Sequence, residues 1–392
     1  MMTDERTQGT TAHLFALDEE HRVFRDVCRI FVEREVLPLT KAAEESGTFP
    51  AALWASLGRH GFLGIGYPEE VGGSGAPDTL AIAIFSEELA RSSGGMAVTP
   101  LVSAYMAAPH LARHGTPEQQ QAYLAPIIAG TKVAAIAVTE PGAGSDVAGI
   151  STVARRVEGG YRLHGSKIFI TNGGIADVLV VAAKTDPGAG RRGVTMFLVE
   201  RDQPGFTVGR ALDKMGWHAS DTRELVFEDC FVPDNRVLGE VGRGFYQIVE
   251  SFQLERITLS GMGVGLAQAA FEDALAYARE RAAFGQPIGK FQAIRHRLAE
   301  MATEIETARL LTYWAATRLD AGEQAQEAVA MAKLHSARVA NRVADDAVQI
   351  FGGYGFIEET RVAMHYRDAR ILRIGGGTDE IQLDILAKRL NV

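Results

Sequence analysis

Apolar positions divide the chain into three stretches with different periods. Up to residue 132, apolar residues recur every three or four positions, which predicts helices. One such set is Val23, Val27, Ile30 and Phe31. Asp18 and Asp78 stand just before two helical runs, where a side-chain oxygen can cap a helix, so helices are expected to begin there.

Between residues 133 and 241 the pattern changes to short β-prone runs. Turn sequences rich in glycine, asparagine, aspartate and proline separate these runs, and strands at this spacing predict a small β-sandwich or barrel. The expected strands are Val133–Val138, Ser151–Val157, Tyr161–His164, Lys167–Thr171, Val178–Ala183, Val194–Val199 and Glu224–Phe227.

From residue 242 onward the helical period returns in long segments, which predict a helical bundle. The segments are Phe245–Arg281, Phe291–Ala321 and Ala325–Phe351. A glycine-rich loop at 375–377 precedes a final helix. The chain is therefore expected to be an α+β multidomain protein, with a helical N-terminal domain (1–132), a middle β domain (133–241) and a C-terminal four-helix-bundle domain (242–392).

Composition narrows the class of protein. The net charge is −9, and no dense run of lysine and arginine indicates a nucleic-acid surface. Cys28 and Cys230 match no disulfide framework or metal-ligand spacing, so buried thiols are expected. No apolar run has the length needed to cross a bilayer, and residues 1–16 lack the apolar core of a signal peptide. These features predict a cytoplasmic protein that binds neither membrane nor nucleic acid.

Glu255 is a charged residue placed among apolar ones. The helix after Gly244 carries an apolar stripe, and Glu255 falls within it between Phe252 and Leu259. A carboxylate there loses hydration, which raises its pKa and suits a general base. The alternative interpretation is a structural buried ion pair; Arg256 is adjacent. The stripe consists of Phe245, Ile248, Val249, Phe252, Leu259, Met262 and Leu266.

Two glycine-rich loops have the composition of ligand-binding segments. The first, Thr139–Asp146, follows an expected strand, and its glycines let backbone N–H groups approach a ligand. The second, Ile374–Gln382, opens a helix whose first N–H groups suit an anion or a polarised oxygen. A plain surface turn explains the first loop equally well, and Asp379 and Glu380 suit a helix start without any ligand.

Other patterns are less informative about chemistry. Gly261-Met-Gly-Val-Gly265 is superficially like a dinucleotide-binding motif, but it lies in a helical pattern rather than after a strand, which excludes that interpretation. Arg281 ends a helix with a cation, as the helix dipole favours. His218, His296 and His335 fit no metal-ligand spacing, and no metal site is expected.

Three patches together resemble signatures of the acyl-CoA dehydrogenase family, and they occur in the same order. They are Ala137–Asp146, Gln349–Phe356 with Arg367–Ala369, and Arg281-x-x-Phe-Gly285 with Phe291–Gln292. The likeness extends from Asp18 to Leu390. Met364 stands where the family usually has lysine or arginine, which affects only a local contact.

The resemblance implies a helical N-terminal domain, a β domain and a C-terminal bundle, usually in a homotetramer. It also implies FAD, bound between the β domain, the bundle and a neighbouring subunit. The matching cofactor positions in the β domain are Val138, Thr139, Gly144, Ser145, Phe169 and Thr171. Those in the bundle are Arg281, Phe284, Gln292, Gln349, Gly352, Gly353, Thr378 and Glu380.

By the same resemblance, these positions have different roles. Phe169, where many members have tryptophan, would cover the flavin ring, and Thr171 would bond its N5. Ser145 would lie along both the flavin and the thioester. The pyrophosphate and adenosine would be held across a dimer by Arg281, Phe284 and Gln292, with Gln349, Gly352 and Gly353 from the neighbouring subunit.

The position of the catalytic base differs from that in most members of the family. Most members have the catalytic glutamate where this chain has Gly376. A minority, which includes isovaleryl-CoA and long-chain enzymes, has it on the bundle helix at the position of Glu255. The apolar stripe indicates the same residue, so Glu255 is the predicted base. Gly376 would still supply the backbone N–H that polarises the thioester carbonyl, while Arg256 and Gly375 would contact the substrate.

The implied activity is FAD-dependent α,β-dehydrogenation of an acyl-CoA to the trans-2-enoyl thioester, with electron-transferring flavoprotein as the acceptor. Ile374 followed by glycine is closer to the isovaleryl type than to the long-chain type, which favours a short branched acyl-CoA. Other acyl-CoAs, acyl or prolyl thioesters on a carrier protein, an oxygen-using oxidase or monooxygenase, and an inactive flavoprotein are the alternatives.

Overall fold

The computed structural model describes residues 17–390, and its first part is helical. Both expected helix starts are confirmed, because the Asp18 and Asp78 carboxylates accept hydrogen bonds from the N–H groups of His21 and Ala81. The helices are α1 (Glu19–Phe31), α2 (Leu37–Ser46), α3 (Ala52–Arg59), α4 (Thr79–Ala90), α5 (Gly94–Leu101), α6 (Ala108–His114), α7 (Pro117–Gln119) and α8 (Ala125–Ile128). Three π-helical turns lie between them, at Val32–Val36, Val102–Ala107 and Gln120–Leu124.

The middle stretch forms one mixed sheet. Its strands are β1 (Ala134–Ala137), β2 (Val153–Val157), β3 (Gly160–Thr171), β4 (Val178–Lys184), β5 (Val194–Glu200), β6 (Phe206–Ala211), β7 (Thr222–Pro233) and β8 (Val237–Leu238). The hydrogen-bonded order is β6-β7-β3-β2-β4-β5-β8, with β1 also paired to β4. β4 pairs in parallel with β1 and β2, and the other pairs are antiparallel.

The strands differ from the prediction at several places, among them the unpredicted two-residue strand β8 and the longer strand β7. Tyr161–His164 and Lys167–Thr171 belong to the single strand β3, which continues through Gly165 by a shift in its pairing with β7. β6 is an addition, since exposed polar residues and Gly209 interrupt its apolar pattern. The sheet buries a core of aliphatic and aromatic side chains that includes Leu163 and Phe197.

Long helices follow the sheet. They are α9 (Gly244–Glu280), α10 (Gln292–Asp320), α11 (Gln326–Phe351), α12 (Arg361–Ala369) and α13 (Asp379–Arg389). A short hairpin of β9 (Ala282–Ala283) and β10 (Gln286–Pro287) separates α9 from α10. The three long segments predicted from periodicity are confirmed within a few residues, and α9 to α12 share a core rich in alanine and aliphatic side chains.

The glycine motif of α9 brings helices close together. A Cβ at Gly265 would lie 2.0 Å from the Glu87 carbonyl oxygen, and one at Gly261 would lie 2.5 Å from the Ala83 oxygen, both in α4. Gly263 faces α11, where its Cβ would approach the Ser336 oxygen to 3.0 Å. The motif therefore permits close helix packing, which agrees with the rejection of a dinucleotide site.

Contacts divide the chain into two compact units. Among the described residues, one unit holds 17–38, 78–94 and 256–390, and the other holds 39–77 and 95–255. The unit boundary on α9 falls between Glu255 and Arg256. The order of a helical part, a β part and a helical bundle along the chain confirms the predicted fold class.

Burial tests other expectations. Cys28 and Cys230 are buried free thiols, as predicted. In α1, Phe31 is buried while the three aliphatic residues of its periodic set are about half exposed, so periodicity predicts the helix but not its buried face. Within residues 17–390, no helix combines the length and apolar character needed to span a membrane.

Candidate active site

The loop after β1 is held in place by one of its own side chains, the buried carboxylate of Glu140. The Glu140 carboxylate accepts hydrogen bonds from the backbone N–H groups of Ser151 and Thr152 at 2.5 and 2.9 Å, and from the Ser151 hydroxyl. Lys167 Nζ lies 2.8 Å from the same carboxylate and also donates to the Val138 carbonyl. The first signature loop and strand β3 are thus tied by a buried ion pair.

This ion pair keeps its charges despite burial. Burial acts to raise the pKa of Glu140, but the Lys167 ammonium and the hydrogen bonds outweigh it and lower that pKa to about 2. Burial lowers the pKa of Lys167 to about 8, with Glu140 acting in the opposite direction. Removal of either partner would leave an uncompensated buried charge, so the pair fixes the loop firmly.

The same anchor places Thr139 beside Phe169. The Ile168 N–H donates to the Thr139 carbonyl at 3.0 Å. Phe169 has a left-handed backbone (φ 61°) at an irregular point of β3, and its side chain is 65% exposed. Thr171 follows, half-buried. The predicted flavin-covering ring is therefore presented outward next to the first signature loop.

The tip of the loop is open. Gly144, Ser145 and Asp146 are exposed, and a Cβ at Gly144 would meet no atom within 4 Å. The backbone there is accessible to a ligand. The structure thus brings Val138, Thr139, Phe169 and Thr171 together, with Ser145 on the same accessible loop.

A second group of predicted residues lies where α9 meets α11. Arg281, Gly352 and Gly353 line a cleft of about 500 Å³, and the rings of Tyr277 and Phe351 stack in its wall at 4.2 Å. Sequence reasoning missed these two rings, although aromatic residues close to two helix ends were an available signal. The other lining residues are Ile288, Ile350, Tyr354 and Ile357.

The hairpin between α9 and α10 exposes a large ring. Phe284 has a left-handed backbone (φ 51°) and is 96% exposed, with its ring edge-on to Phe291. Gln292, the first residue of α10, is exposed, as is Gln349 near the end of α11. These residues do not line the cleft, and the Phe284 ring is open to contact with another molecule.

The glycine loop before α13 is held by side chains from three helices. Arg256 Nε of α9 lies 3.1 Å from the Gly376 carbonyl, and Lys333 Nζ of α11 lies 2.5 Å from the Gly377 carbonyl. Gln382 Nε2 of α13 reaches both oxygens, at 3.3 and 3.1 Å. Arg256, predicted to contact the substrate, is 5% exposed and bonds the loop that carries Gly376.

The helix-start interpretation of the acids at the beginning of α13 is supported. Asp379 is buried, and Arg338 and Arg373 approach its carboxylate to 3.2 and 2.8 Å. Thr378 caps the helix through its hydroxyl. Glu380 is exposed, and hydrogen bonds from its own N–H and from Thr378 lower its pKa.

Glu255 lies on α9 at the point where the helix becomes enclosed. Its side chain is half-buried, and every residue from Arg256 to Ala267 is buried, so the helix there has no exposed face. The predicted stripe is wrong at Val249, which is 39% exposed. Glu255 thus borders a stretch of α9 that is buried on every face rather than lying on a single apolar face, and its role as the base stays a prediction.

Histidines do not form a metal site in the described part of the chain. His218 contacts the Lys214 carbonyl and His335 contacts the Thr307 hydroxyl. No group of three or more histidine, cysteine, aspartate or glutamate side chains within residues 17–390 has a metal-binding arrangement.

The residues present fit FAD. An exposed aromatic ring at Phe169 offers an apolar surface to a flavin ring, and the backbone at Gly144 is open to a ligand. Arg281 supplies a cation at a cleft bordered by Gly352 and Gly353, where a Cβ would meet nothing within 4 Å. An anionic pyrophosphate matches such a cleft.

Family models match almost the entire chain. Residues 18–131 match the N-terminal domain of acyl-CoA dehydrogenase, residues 135–230 the middle domain and residues 242–391 the C-terminal domain. The short-chain specific acyl-CoA dehydrogenase of Megasphaera elsdenii is 41% identical, over 94% of this chain and 97% of its own. The mitochondrial isovaleryl-CoA dehydrogenase of Solanum tuberosum is 39% identical, over 97% and 92%.

Solved structures agree with these matches. A chain solved in work on the electron transferring flavoprotein of Acidaminococcus fermentans superposes with a TM-score of 0.93 at 40% identity, over 96% of this chain and 99% of the other. PigA with FAD and proline superposes with a TM-score of 0.93 at 32% identity, over 96% and 99%. The chain therefore belongs to the acyl-CoA dehydrogenase family and is an FAD-dependent oxidoreductase.

Proposed function

We propose that this enzyme dehydrogenates a short, branched acyl-CoA, with Glu255 as the base. One observation carries the proposal: Arg256 Nε donates to the Gly376 carbonyl. Arg256, the residue after Glu255 on α9, thus holds the loop expected to polarise the thioester. The glycine at 376 leaves the loop without a carboxylate of its own at that position.

The chemistry assigns two tasks to the chain. The Glu255 carboxylate takes the proton from Cα, and the Gly376 N–H donates a hydrogen bond to the thioester carbonyl oxygen, where negative charge develops. When bound, FAD supplies the acceptor for the hydride that leaves Cβ. The electron pair of the broken Cα–H bond becomes the double bond, which gives the trans-2-enoyl thioester.

Replacement of the base tests this assignment. Glu255→Gln should slow flavin reduction by acyl-CoA by about 10³-fold, because positioned acid–base groups contribute 10²–10⁴-fold. FAD content should be unchanged. Glu250→Gln, also on α9 but with an exposed side chain, is the matched control and should keep the wild-type rate. Equal rates in the two variants would show that another group removes the proton.

The short branched substrate is supported by the loop. Gly375 and Gly376 carry no side chains, and a Cβ at Gly375 would come only within 3.7 Å of the Ile371 oxygen. Small residues at this end of the loop leave space for a branch at Cβ. Sequence identity does not distinguish the subgroup, because the short-chain and isovaleryl enzymes are similarly related.

Anaerobic titration decides between these substrates. Isovaleryl-CoA should bleach the oxidised flavin band at least 10-fold faster than butyryl-CoA at equal concentration, with the enoyl product in the quenched mixture. Faster bleaching by butyryl-CoA would support a straight short chain instead. Bleaching by neither would exclude both and direct the search to longer or carrier-bound thioesters.

A thioester on a carrier protein is the second candidate. PigA, solved with FAD and proline, has the same fold at 32% identity, which supports a related enzyme with a prolyl or acyl substrate on a carrier. The same acyl group presented on CoA and on a purified carrier protein distinguishes the two. A much higher rate with the carrier would replace the acyl-CoA proposal.

We further propose electron-transferring flavoprotein as the acceptor and a homotetramer as the assembly. The similarity to the chain from the Acidaminococcus fermentans work supports the acceptor, and the exposed rings of Phe284 and Phe356 support association. Aerobic turnover as fast without an acceptor as with one would favour an oxygen-using enzyme. Cytoplasmic location and the three domain boundaries stay predictions.

A further inference from the structure

The strongest polar cluster that the proposed chemistry leaves unassigned surrounds the glycine loop before α13. Lys333 is 1% exposed, and its ammonium lies 2.5 Å from the Gly377 carbonyl. Gln382 is fully buried and donates from Nε2 to the carbonyls of Gly376 and Gly377. Neither side chain stands out in the sequence, because both lie within ordinary helical patterns.

The use of a buried ammonium group to hold a carbonyl costs free energy. Burial of a charge costs several kcal/mol before compensation, and a neutral amide would supply the same hydrogen bond. A charged donor differs from a neutral one in the electrostatic potential that it sets up around it. A cation next to the loop adds positive potential where the proposed reaction develops negative charge on oxygen.

The loop itself needs external restraint. Gly376 and Gly377 have left-handed backbones, with φ values of 65° and 92°, and glycine loses more conformational freedom on ordering than other residues. Hydrogen bonds on the two carbonyls restrict rotation about both Cα atoms. These bonds hold the peptide plane that follows Gly376 and thereby the position of its Cα. The Gly376 N–H belongs to the preceding peptide plane, so the bonds restrict it through that Cα.

The packing at Gly377 shows that the loop and Gln382 are fitted to each other. A Cβ at Gly377 would lie 2.8 Å from Gln382 Nε2 and 3.2 Å from the Ile381 side chain. Any side chain at 377 would therefore displace the amide that holds both carbonyls. On the C-terminal side, the buried Asp379 is held by Arg338 and Arg373, so the loop leads into a firmly anchored helix start.

We propose that Lys333 and Gln382 are positioning residues for the proposed oxyanion donor, and that the Lys333 charge also strengthens that donor. The inference rests on the proposed role of the Gly376 N–H. The two side chains act through the loop and touch no reacting atom. Lys333 makes the thioester enolate easier to form, and Gln382 keeps the N–H aimed at it.

Acetoacetyl-CoA is the probe, because a 3-oxo thioester ionises to an enolate whose negative oxygen resembles that of the proposed reaction. Its ionisation on the FAD-loaded enzyme is followed by absorbance across a pH series. Lys333→Met should make the bound enolate about 10–100-fold harder to form and lower kcat by a similar factor, since one oxyanion donor is worth about 10²–10³-fold. KM should change less than about 3-fold, since this interaction is made mainly in the transition state.

Lys388→Met is the matched control, because Lys388 is an exposed lysine on α13. Enolate formation in Lys333→Met equal to that in Lys388→Met would overturn the proposal, whatever happens to kcat. If Lys333→Met does not fold or retain FAD, Gln382→Met decides by the same readouts. A loss of enolate formation then supports the proposal, and an unchanged value overturns it.

Wild-type enzyme separates this inference from the proposed function. If wild type forms no enolate from acetoacetyl-CoA and no acyl-CoA reduces its flavin, the proposed function fails, not the role of Lys333 alone. If wild type passes both tests and the Lys333 and Gln382 variants match the control, only the positioning role fails.

Discussion

At the scale of single residues, backbone strain coincides with the predicted cofactor contacts. Phe169 and Phe284 both have left-handed backbones, which few bulky residues adopt, and both rings project outward. Such a conformation costs about 1–3 kcal/mol and persists where the surroundings enforce it. In β3 the enforcing contacts include the Lys167–Glu140 ion pair, two residues before Phe169.

Phe169 should matter for the cofactor more than for the fold. Phe169→Ala removes an exposed ring, so the free energy of unfolding of the apoprotein should change by less than about 1 kcal/mol. FAD affinity should fall about 10-fold, because a flavin loses a stacked aromatic surface worth about 0.5–1.5 kcal/mol beyond area burial. The ratio of absorbance at 450 and 280 nm after gel filtration measures it. Phe169→Trp is the control and should retain FAD; equal retention by both variants would remove Phe169 from the cofactor site.

The sequence predicted individual residues well where a motif determines the local backbone conformation. It did not predict contacts between side chains that only the folded structure brings together. The open backbone at Gly144 and the helix start after the second glycine-rich loop were predictable from their motifs, whereas the cap at Thr378 was not predicted. The clamp on the glycine loop was not, because Lys333 comes from a distant helix. Periodicity cannot show that a lysine points at a carbonyl 44 residues further along the chain.

At the scale of elements, close packing of α4 on α9 depends on two glycines. Gly265→Ala would place a methyl group 2.0 Å from the Glu87 carbonyl, so the helices must separate. We expect a loss of about 1–3 kcal/mol in the free energy of unfolding, as for other overpacked cores. Urea unfolding measures it. Gly142→Ala, where a Cβ meets nothing within 4 Å, should be nearly neutral; similar losses in both would refute the packing argument.

Two helix starts are joined by one histidine. His21 contacts Asp18 at 2.8 Å and Asp78 at 3.2 Å, the caps of α1 and α4. The hydrogen bond to Asp78 is the main cause that raises the pKa of His21 to about 9, against burial and with support from Asp18. The protonated imidazole therefore bridges two carboxylates at neutral pH.

The raised pKa makes this link pH-dependent. Because the folded pKa exceeds the unfolded value of about 6.5, the stabilisation is fully present below pH 6.5 and is lost as the pH rises through about 9. His21→Gln should lower the free energy of unfolding by about 1 kcal/mol at pH 6 and by much less at pH 10. Urea unfolding at both values checks this. A difference that is constant from pH 6 to 10 would show that His21 is neutral in the folded state.

Elements were the most predictable level of the fold. The long helices α9 to α11 follow from periodicity alone, since 26 to 37 residues provide many repeats of the pattern. Strand β6 was missed because an edge strand with exposed side chains lacks the apolar signal. Burial of the α1 face depends on which neighbours are present, and a one-chain pattern does not contain that information.

At the scale of the whole molecule, cofactor binding and association should be coupled. Arg281, Gly352 and Gly353 line one cleft within a single chain. The family resemblance nevertheless implies that Arg281 and Phe284 of one subunit share an FAD with Gly352 and Gly353 of its neighbour, so FAD would bridge two chains. A ligand that binds the assembled form more tightly stabilises it, and assembly tightens ligand binding by the same factor. The 96% exposure of Phe284 leaves its ring available for such a contact.

Removal of FAD should therefore weaken the assembly. Mass photometry at nanomolar concentration should show the holoenzyme as an oligomer. The protein concentration at which the oligomer dissociates should be at least about 10-fold higher for the apoenzyme than for the holoenzyme. This ratio corresponds to a coupling free energy of about 1.4 kcal/mol between FAD binding and assembly. Readdition of FAD should restore the oligomer. The Phe169→Ala variant without FAD is the matched comparison, because it keeps the β9–β10 hairpin that carries Phe284. Phe284→Ser should dissociate more readily than wild type and also lose FAD, because the ring serves both functions. If apoenzyme and holoenzyme dissociate at the same concentration, FAD is held within one chain, and Arg281 and Phe284 lose their proposed role across the subunit boundary.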